Sequence, residues 1–131
     1  MKVDGCLDDV PDEIVRTHLE RLIQNSRFKA SEKQKRFLKF IVEETLQGRA
    51  TQLKAYTVAI AVYDRSSSFN PQVDPIVRVE AGRLRRALQN YYLASNEVSP
   101  VRIEIPKGAY VPLFKDTRQS RGGYKRQQNA L

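Results

Sequence analysis

The residues of this chain best suited to chemistry lie in one stretch, Asp74-Pro75-Ile76-Val77-Arg78-Val79-Glu80-Ala81-Gly82-Arg83-Leu84-Arg85-Arg86-Ala87-Leu88-Gln89-Asn90-Tyr91-Tyr92. Four arginines fall within nine residues of it, set against the single acid Glu80. A guanidinium is a planar, permanently charged fork of donors, matched to phosphates and to the edge of guanine. Such residues hold a partner rather than transform one. Asp74 can cap a helix, and Pro75 supplies the fixed φ preferred at a first helical position. At about 100° per residue, Val77, Ala81, Leu84, Leu88 and Tyr91 then form one apolar stripe. Val79, Gly82, Arg83, Arg86 and Asn90 lie opposite it, with Arg78 and Arg85 on a flank. The pattern describes a helix anchored on one side and strongly positive on the other, as insertion into a DNA groove requires; a solvated, arginine-rich surface helix has the same pattern.

Catalytic constellations are missing from the rest of the sequence. There is one His and one Cys, and there is no metal-ligand spacing or glycine-rich phosphate loop. No enzyme activity, cofactor or metal is therefore expected. Glu43 and Glu44 are adjacent, but neighbouring helical residues point about 100° apart, which suits two solvated carboxylates better than an acid–base pair. His18 reads as a boundary residue beside an apolar stripe. Tyr91-Tyr92 invites stacking on single-stranded bases, yet Tyr91 belongs to the core stripe. Cys6 alone excludes an internal disulfide.

With 131 residues, one domain with tails is expected, large enough to fold without a staple. Twenty-three Lys and Arg against fifteen Asp and Glu give a formal net charge of +8, which favours an anionic partner. No stretch reaches the roughly eighteen apolar residues of a membrane helix, and the first residues lack a signal-peptide core. A soluble, cytoplasmic protein without membrane contact is the expectation.

Four elements must position the basic helix. A helix is expected over 11–26, with Ile14, Val15, Leu19, Leu22 and Ile23 inward and Asp12 and Glu13 at its positive end. Phe28 reads as the plug of a short connection. Ser31-Glu32-Lys33-Gln34 is a capping box opening a second helix, which Gly48 ends. A short apolar helix over 54–62 is preferred to a strand because Thr57-Val58-Ala59-Ile60-Ala61 lacks alternation. Residues 64–73 form a loop pinned by Phe69. After the basic helix, Val101-Arg102-Ile103-Glu104-Ile105 alternates strictly, as a half-buried strand does. Pro106-Lys107-Gly108 is the turn, and Tyr110-Val111 with Leu113-Phe114 the return strand, Pro112 marking an edge or a break. The expected organisation is a flexible acidic N-terminus (1–10), a domain (11–114) that is mainly α with a C-terminal β-hairpin, and a basic, disordered tail (115–131).

The order of elements and two motifs resemble a known family. Val77-Arg78-Val79-Glu80-Ala81-Gly82-Arg83-Leu84-Arg85-Arg86-Ala87-Leu88 is similar to the recognition helix of OmpR/PhoB-type winged-helix domains, and Ile103-Glu104-Ile105-Pro106-Lys107-Gly108-Ala109-Tyr110 resembles their wing. From Ser31 to Phe114 the chain also resembles an N-terminal module of some bacterial adenylate-cyclase and repeat-containing regulators. There Leu-Lys-x-Tyr, Asp-Pro-Ile-Val-Arg-Val-Glu-Ala and Pro-Lys-Gly-x-Tyr-Val-Pro recur, as at Leu53, Asp74 and Pro106 here.

The resemblance implies a winged helix-turn-helix fold and a bacterial transcription regulator reading double-stranded DNA. By position it places Val79, Gly82 and Arg83 toward the bases, and the helical wheel adds Arg86. Arg78, Arg85 and Tyr110 fall at or beside backbone-contacting positions. Arg102 and Lys107 of the hairpin suit phosphates, and the tail would add phosphate or minor-groove contacts. A homodimer on DNA, or contact with RNA polymerase, would complete the partner set. The chain departs from the family at Glu80, where His is common, at Arg78, where an acid is common, and in lacking the N-terminal sheet. Base preference is therefore not carried over. Two further readings stay open: a protein-interaction or dimerisation module using the Phe69 loop and the first helix, and an architectural DNA-binding factor in recombination.

Overall fold

A computed structural model describes residues 10–95 and 99–117. The expected acidic N-terminus, apart from Val10, and the tail beyond Thr117 lie outside the described residues. Four α-helices and a hairpin follow one another: α1 (Asp12–Gln24), α2 (Glu32–Leu46), α3 (Ala55–Tyr63), α4 (Ile76–Ala94), β1 (Val101–Glu104) and β2 (Leu113–Asp116). The chain is thus mainly helical with a C-terminal two-stranded antiparallel hairpin. Val10, assigned by sequence to the flexible start, is buried instead, because it caps the edge of the core.

The core is built by the stripes that periodicity marks. Val15, Leu19 and Leu22 of α1, Phe37, Leu38, Ile41 and Val42 of α2, and Val58 and Val62 of α3 pack around Val77, Leu84 and Leu88 of α4. Burying each such side chain stabilises the fold by about 1.5–3 kcal/mol. Helix α4 packs against α2, α3 and β1, which makes it the hub of the molecule. Phe28 is the expected plug, 2% exposed.

Local signals set the ends of the helices. Ser31 Oγ accepts from the Gln34 amide at 3.1 Å, and Gln34 Oε1 accepts from the Ser31 amide at 3.0 Å, completing the capping box. Gly48, with φ of 87°, turns the chain after α2 as only glycine does freely. Before α3 a single 3-10 turn intervenes at Ala50–Gln52, which composition had not marked. Asp64 ends α3 in the left-handed region, φ 56°. There Lys33 of α2 donates to the Val62 carbonyl and to Asp64 Oδ2, putting a cation at the negative end of the helix.

The hairpin departs from its expected register. Ile103 pairs with Phe114 and Val101 with Asp116, so the return strand runs to Asp116 and includes Lys115 and Asp116, assigned by sequence to the tail. Pro112 has no N–H to give a ladder, so pairing begins only after it. Residues 105–112 form the connection, and Tyr110 and Val111 belong to that loop rather than to a strand. Gly108 takes φ of 77° at its tip.

A polar chain ties the hairpin to the helices. Tyr92 Oη accepts from the Ile103 amide at 2.9 Å and lies 2.8 Å from His18 Nε2. Ser99 Oγ gives its single hydrogen to the Val101 carbonyl, so it accepts from His18 Nδ1–H at 3.0 Å. His18, expected at a boundary, is 7% exposed and ties α1 to α4 and to the segment that leads into β1. Burial pushes the Tyr92 hydroxyl far above its usual range. Burial, and then the nearby Glu80 carboxylate, push Tyr63 up to about 12. The Tyr63 hydroxyl has no hydrogen-bond partner among the described residues.

The two tyrosines should therefore respond differently to loss of a hydroxyl. Tyr92→Phe leaves two buried groups without this partner and should cost about 1–3 kcal/mol in urea unfolding. Tyr63→Phe should change stability by less than about 0.5 kcal/mol or raise it. A loss near that of Tyr92→Phe would show that the Tyr63 hydroxyl is bonded after all.

Candidate nucleic-acid interface

Helix α4 starts where the sequence expects, by a slightly different device. Its first helical residue is Ile76, and Asp74 Oδ1 accepts from the Ile76 amide at 3.1 Å. The other oxygen, Oδ2, takes a 2.7 Å bond from Arg65 Nε, while Arg65 Nη1 donates to the Tyr63 carbonyl. This pair spans the loop between α3 and α4 and fixes one helix start against the other helix end. The Arg65 hydrogen bond holds the Asp74 carboxyl below its ordinary value, outweighing the desolvation that opposes it. Phe69 of the same loop is half-buried against the core.

The buried stripe of α4 is Val77, Ala81, Leu84, Ala87, Leu88 and Tyr91. Five of the six follow from periodicity, and Ala87 joins them as a sixth buried position. The opposite face stays open. Arg78, Arg83, Arg86 and Asn90 are exposed, Val79 is 40% exposed, and Gly82 is half-buried. The side chains of Arg78 and Arg86 have no ion pair or hydrogen bond among the described residues.

Gly82 carries more information than its size suggests. A Cβ built there meets nothing within 4 Å, and its φ is not one that requires glycine. Folding alone would gain from alanine, since glycine inside a helix costs about 0.5–1 kcal/mol. The residue leaves a strip of bare backbone on the basic face.

Glu80, the one acid on the helix, is held by two neighbours. Its side chain is 13% exposed; Oε1 takes a 2.7 Å bond from Gln34 Nε2 of α2, and Oε2 pairs with Arg83 Nη1 at 2.9 Å. Glu80 is thus a latch between helices, and it takes one terminal N–H of Arg83, at Nη1, leaving Nε and Nη2 without a hydrogen bond among the described residues. No local sequence signal marks the Gln34–Glu80 contact.

The residues expected at phosphates divide into two groups. Arg78 and Lys107 are exposed, Lys107 at the hairpin tip. Arg85 is half-buried and donates from Nε to the Ile105 carbonyl at 2.7 Å and from Nη2 to that of Pro106 at 3.1 Å. It clamps the hairpin to α4. Arg102 lies over the Tyr92 ring at 5.0 Å, on the exposed side of β1. Tyr110 is half-buried, its ring 6.4 Å from that of Phe37. The side of α4 that carries Arg85, Gln89 and Leu93 and the facing hairpin flank a groove of about 540 Å³, whose lining includes Arg85, Arg102 and Lys107. A second concavity, about 650 Å³, opens at the basic face itself, where Arg83, Arg86 and Asn90 meet Arg27 and Lys29. No local sequence pattern marks those last two.

Among the described residues no group of three His, Cys, Asp or Glu is placed to hold a metal ion, and no helix is long and apolar enough to cross a membrane. No known protein family, characterised protein or solved structure matches the chain.

Two outcomes follow from this geometry. Gly82→Ala should raise unfolding stability by about 0.5–1 kcal/mol in urea titrations; a loss would mean that the fold itself needs the glycine. Because the Asp74 value is depressed on folding, its contribution is complete above the ordinary value of 3.8 and disappears as pH falls through the lower folded value. The melting temperature of the native chain should fall across that acidic window, and Asp74→Asn should flatten part of the fall. Equal slopes for the two proteins would remove the Arg65–Asp74 pair from the acid response.

Proposed function

We propose that the chain is a sequence-specific, double-stranded-DNA-binding protein of winged-helix type, acting as a bacterial transcription regulator. Helix α4 enters the major groove and the 101–116 hairpin lies along the backbone or minor groove. The observation that carries this reading is the bare, basic face of α4. It bears Arg78, Val79, Gly82, Arg83 and Arg86 around a glycine that the fold does not require. A helix face on which backbone is accessible between arginines fits the close approach of a base-pair edge. The resemblance of Val77–Leu88 and Ile103–Tyr110 to OmpR/PhoB-type domains supports the same orientation.

Within this reading the roles are distinct. Arg83, its Nη1 already held by Glu80, presents its remaining N–H groups to a guanine edge with less conformational freedom left to lose. Arg86 and Val79 flank it. Arg78, Lys107 and Arg102 hold phosphates, which set register without reading sequence. Arg85 acts indirectly, by fixing the hairpin angle. Tyr110 does so too, through its packing on Phe37.

A second reading, a protein-interaction module, draws on Leu93 and Leu113, which are 84% and 43% exposed beside the groove between α4 and the hairpin. Salt separates the two. DNA binding releases counterions and weakens steeply as salt rises, whereas absence of duplex binding even at low salt would leave only the second.

Fluorescence anisotropy on a selected duplex and on random DNA tests the leading reading. Arg83→Ala should cost about 1–3 kcal/mol on the selected site and much less on random sequence. Gly82→Ala should weaken the selected site while stabilising the fold, and Lys107→Ala should weaken both duplexes alike. Equal losses for Arg83→Ala on all sequences would remove base readout from this residue.

A further inference from the structure

The concavity between the α1–α2 connection and α4 gathers positive charge from two parts of the chain far apart in sequence. Arg27 and Lys29 come from the connection, Arg83 and Arg86 from the helix, and Asn90 adds a neutral amide. Arg83 is the only one of the four cations with an acidic partner; Arg27, Lys29 and Arg86 have no side-chain ion pair or hydrogen bond among the described residues. Like charges brought together without counter-charges repel, and an arrangement that the fold does not neutralise favours an anion in the cleft.

The connection is built to hold its cations in place. Phe28, 2% exposed, points inward and meets the Tyr91 ring edge-on at 6.1 Å. Its neighbours on either side, Arg27 and Lys29, are both exposed on the opposite side of the chain. Asn25 ties the segment at both ends of its side chain. Its Oδ1 accepts from the Arg27 amide at 2.8 Å, and its Nδ2 donates to the Tyr91 hydroxyl at 3.3 Å. Backbone bonds from Phe28 N to Asn25 O and from Ala30 N to Phe28 O, both 3.0 Å, complete the fixed turn. The two cations therefore stand on a short rigid segment fastened to the C-terminal half of α4.

We propose that this cleft holds a phosphodiester at its outer edge: Arg27 and Lys29 hold a backbone phosphate of the duplex beside Arg83 and Arg86, the base-facing residues of α4. The inference rests on the DNA-binding reading and extends it to an element that has no counterpart in the helix or the hairpin. A helix lying in the major groove has a phosphate backbone along each side. The hairpin serves one of them, and the α1–α2 connection serves the other. The site sets how deeply α4 sits without choosing bases, because a phosphate is the same at every step.

The test is an anisotropy titration of the full chain against selected and random duplexes over a range of salt, with Arg27→Ala/Lys29→Ala beside Arg83→Ala. The double variant alters exposed side chains only and should keep its melting temperature. It should lose about tenfold in affinity for both duplexes alike and lower the slope of log affinity against log salt by about 1–2. Arg27→Lys should retain most of the slope. An unchanged slope and affinity in the double variant, with Arg83→Ala still selective, would overturn the phosphate site and leave the groove reading standing. A native chain that binds no duplex at low salt would overturn both. Saturable binding of inorganic phosphate that the double variant abolishes, with duplex affinity unchanged, would make the cleft a small-anion pocket and overturn the backbone assignment.

Discussion

A helix with one apolar stripe has one rotational setting that buries it, and the rest of this molecule is arranged around the setting of α4. Val77, Leu84 and Leu88 are almost wholly inaccessible, and a turn of one residue about the axis would drive arginine into their place. The cost of burying an unpaired guanidinium far exceeds any gain on the other side. Every polar contact then reinforces that setting. Glu80 latches to α2 on one flank, Arg85 clamps the hairpin on the other, and the Tyr91 and Tyr92 hydroxyls fasten the C-terminal turns to α1 and β1. The exposed face is the remainder, and its composition is free to serve a partner.

Net charge by itself says little about where such a partner sits. Arg16 is matched by Glu43, Arg49 by Glu44, Arg65 by Asp74, and Lys33 by Asp64. These pairs are mostly half-exposed and contribute modestly to stability, but they cancel field locally. What persists beyond the surface comes from cations without a match. Arg27, Lys29, Arg78 and Arg86 belong to that set, and all four are exposed on α4 or on the connection fastened to it.

Much of this was legible in the residues, for physical reasons that also mark where legibility stopped. Periodicity near 100° identified the stripe of α4, and Ser31 with Gln34 announced their helix start, because both signals are local. The end of the hairpin is not legible because strand pairing is not local: Pro112 displaces the ladder, and only the partner strand shows by how much. Arg85 reads as a surface cation from its flank position, yet two carbonyls at Ile105 and Pro106 take it inward. His18 looked marginal on its own helix and is buried by groups that lie a long way down the chain. The same holds for Arg27 and Lys29, whose meaning depends on Phe28 docking against Tyr91.

The amide of Gln34 is shared between two tasks. It closes the first turn of α2 through Oε1 and fastens α4 through Nε2. A helix terminus ordinarily frays on its own, at little free-energy cost. Here, opening the Ser31 turn also loosens the Gln34 amide that bonds Glu80, the partner of Arg83. The start of one helix and the setting of the acid on another thus share a single side-chain amide, so that one substitution at Gln34 removes a helix cap and an inter-helix bond together.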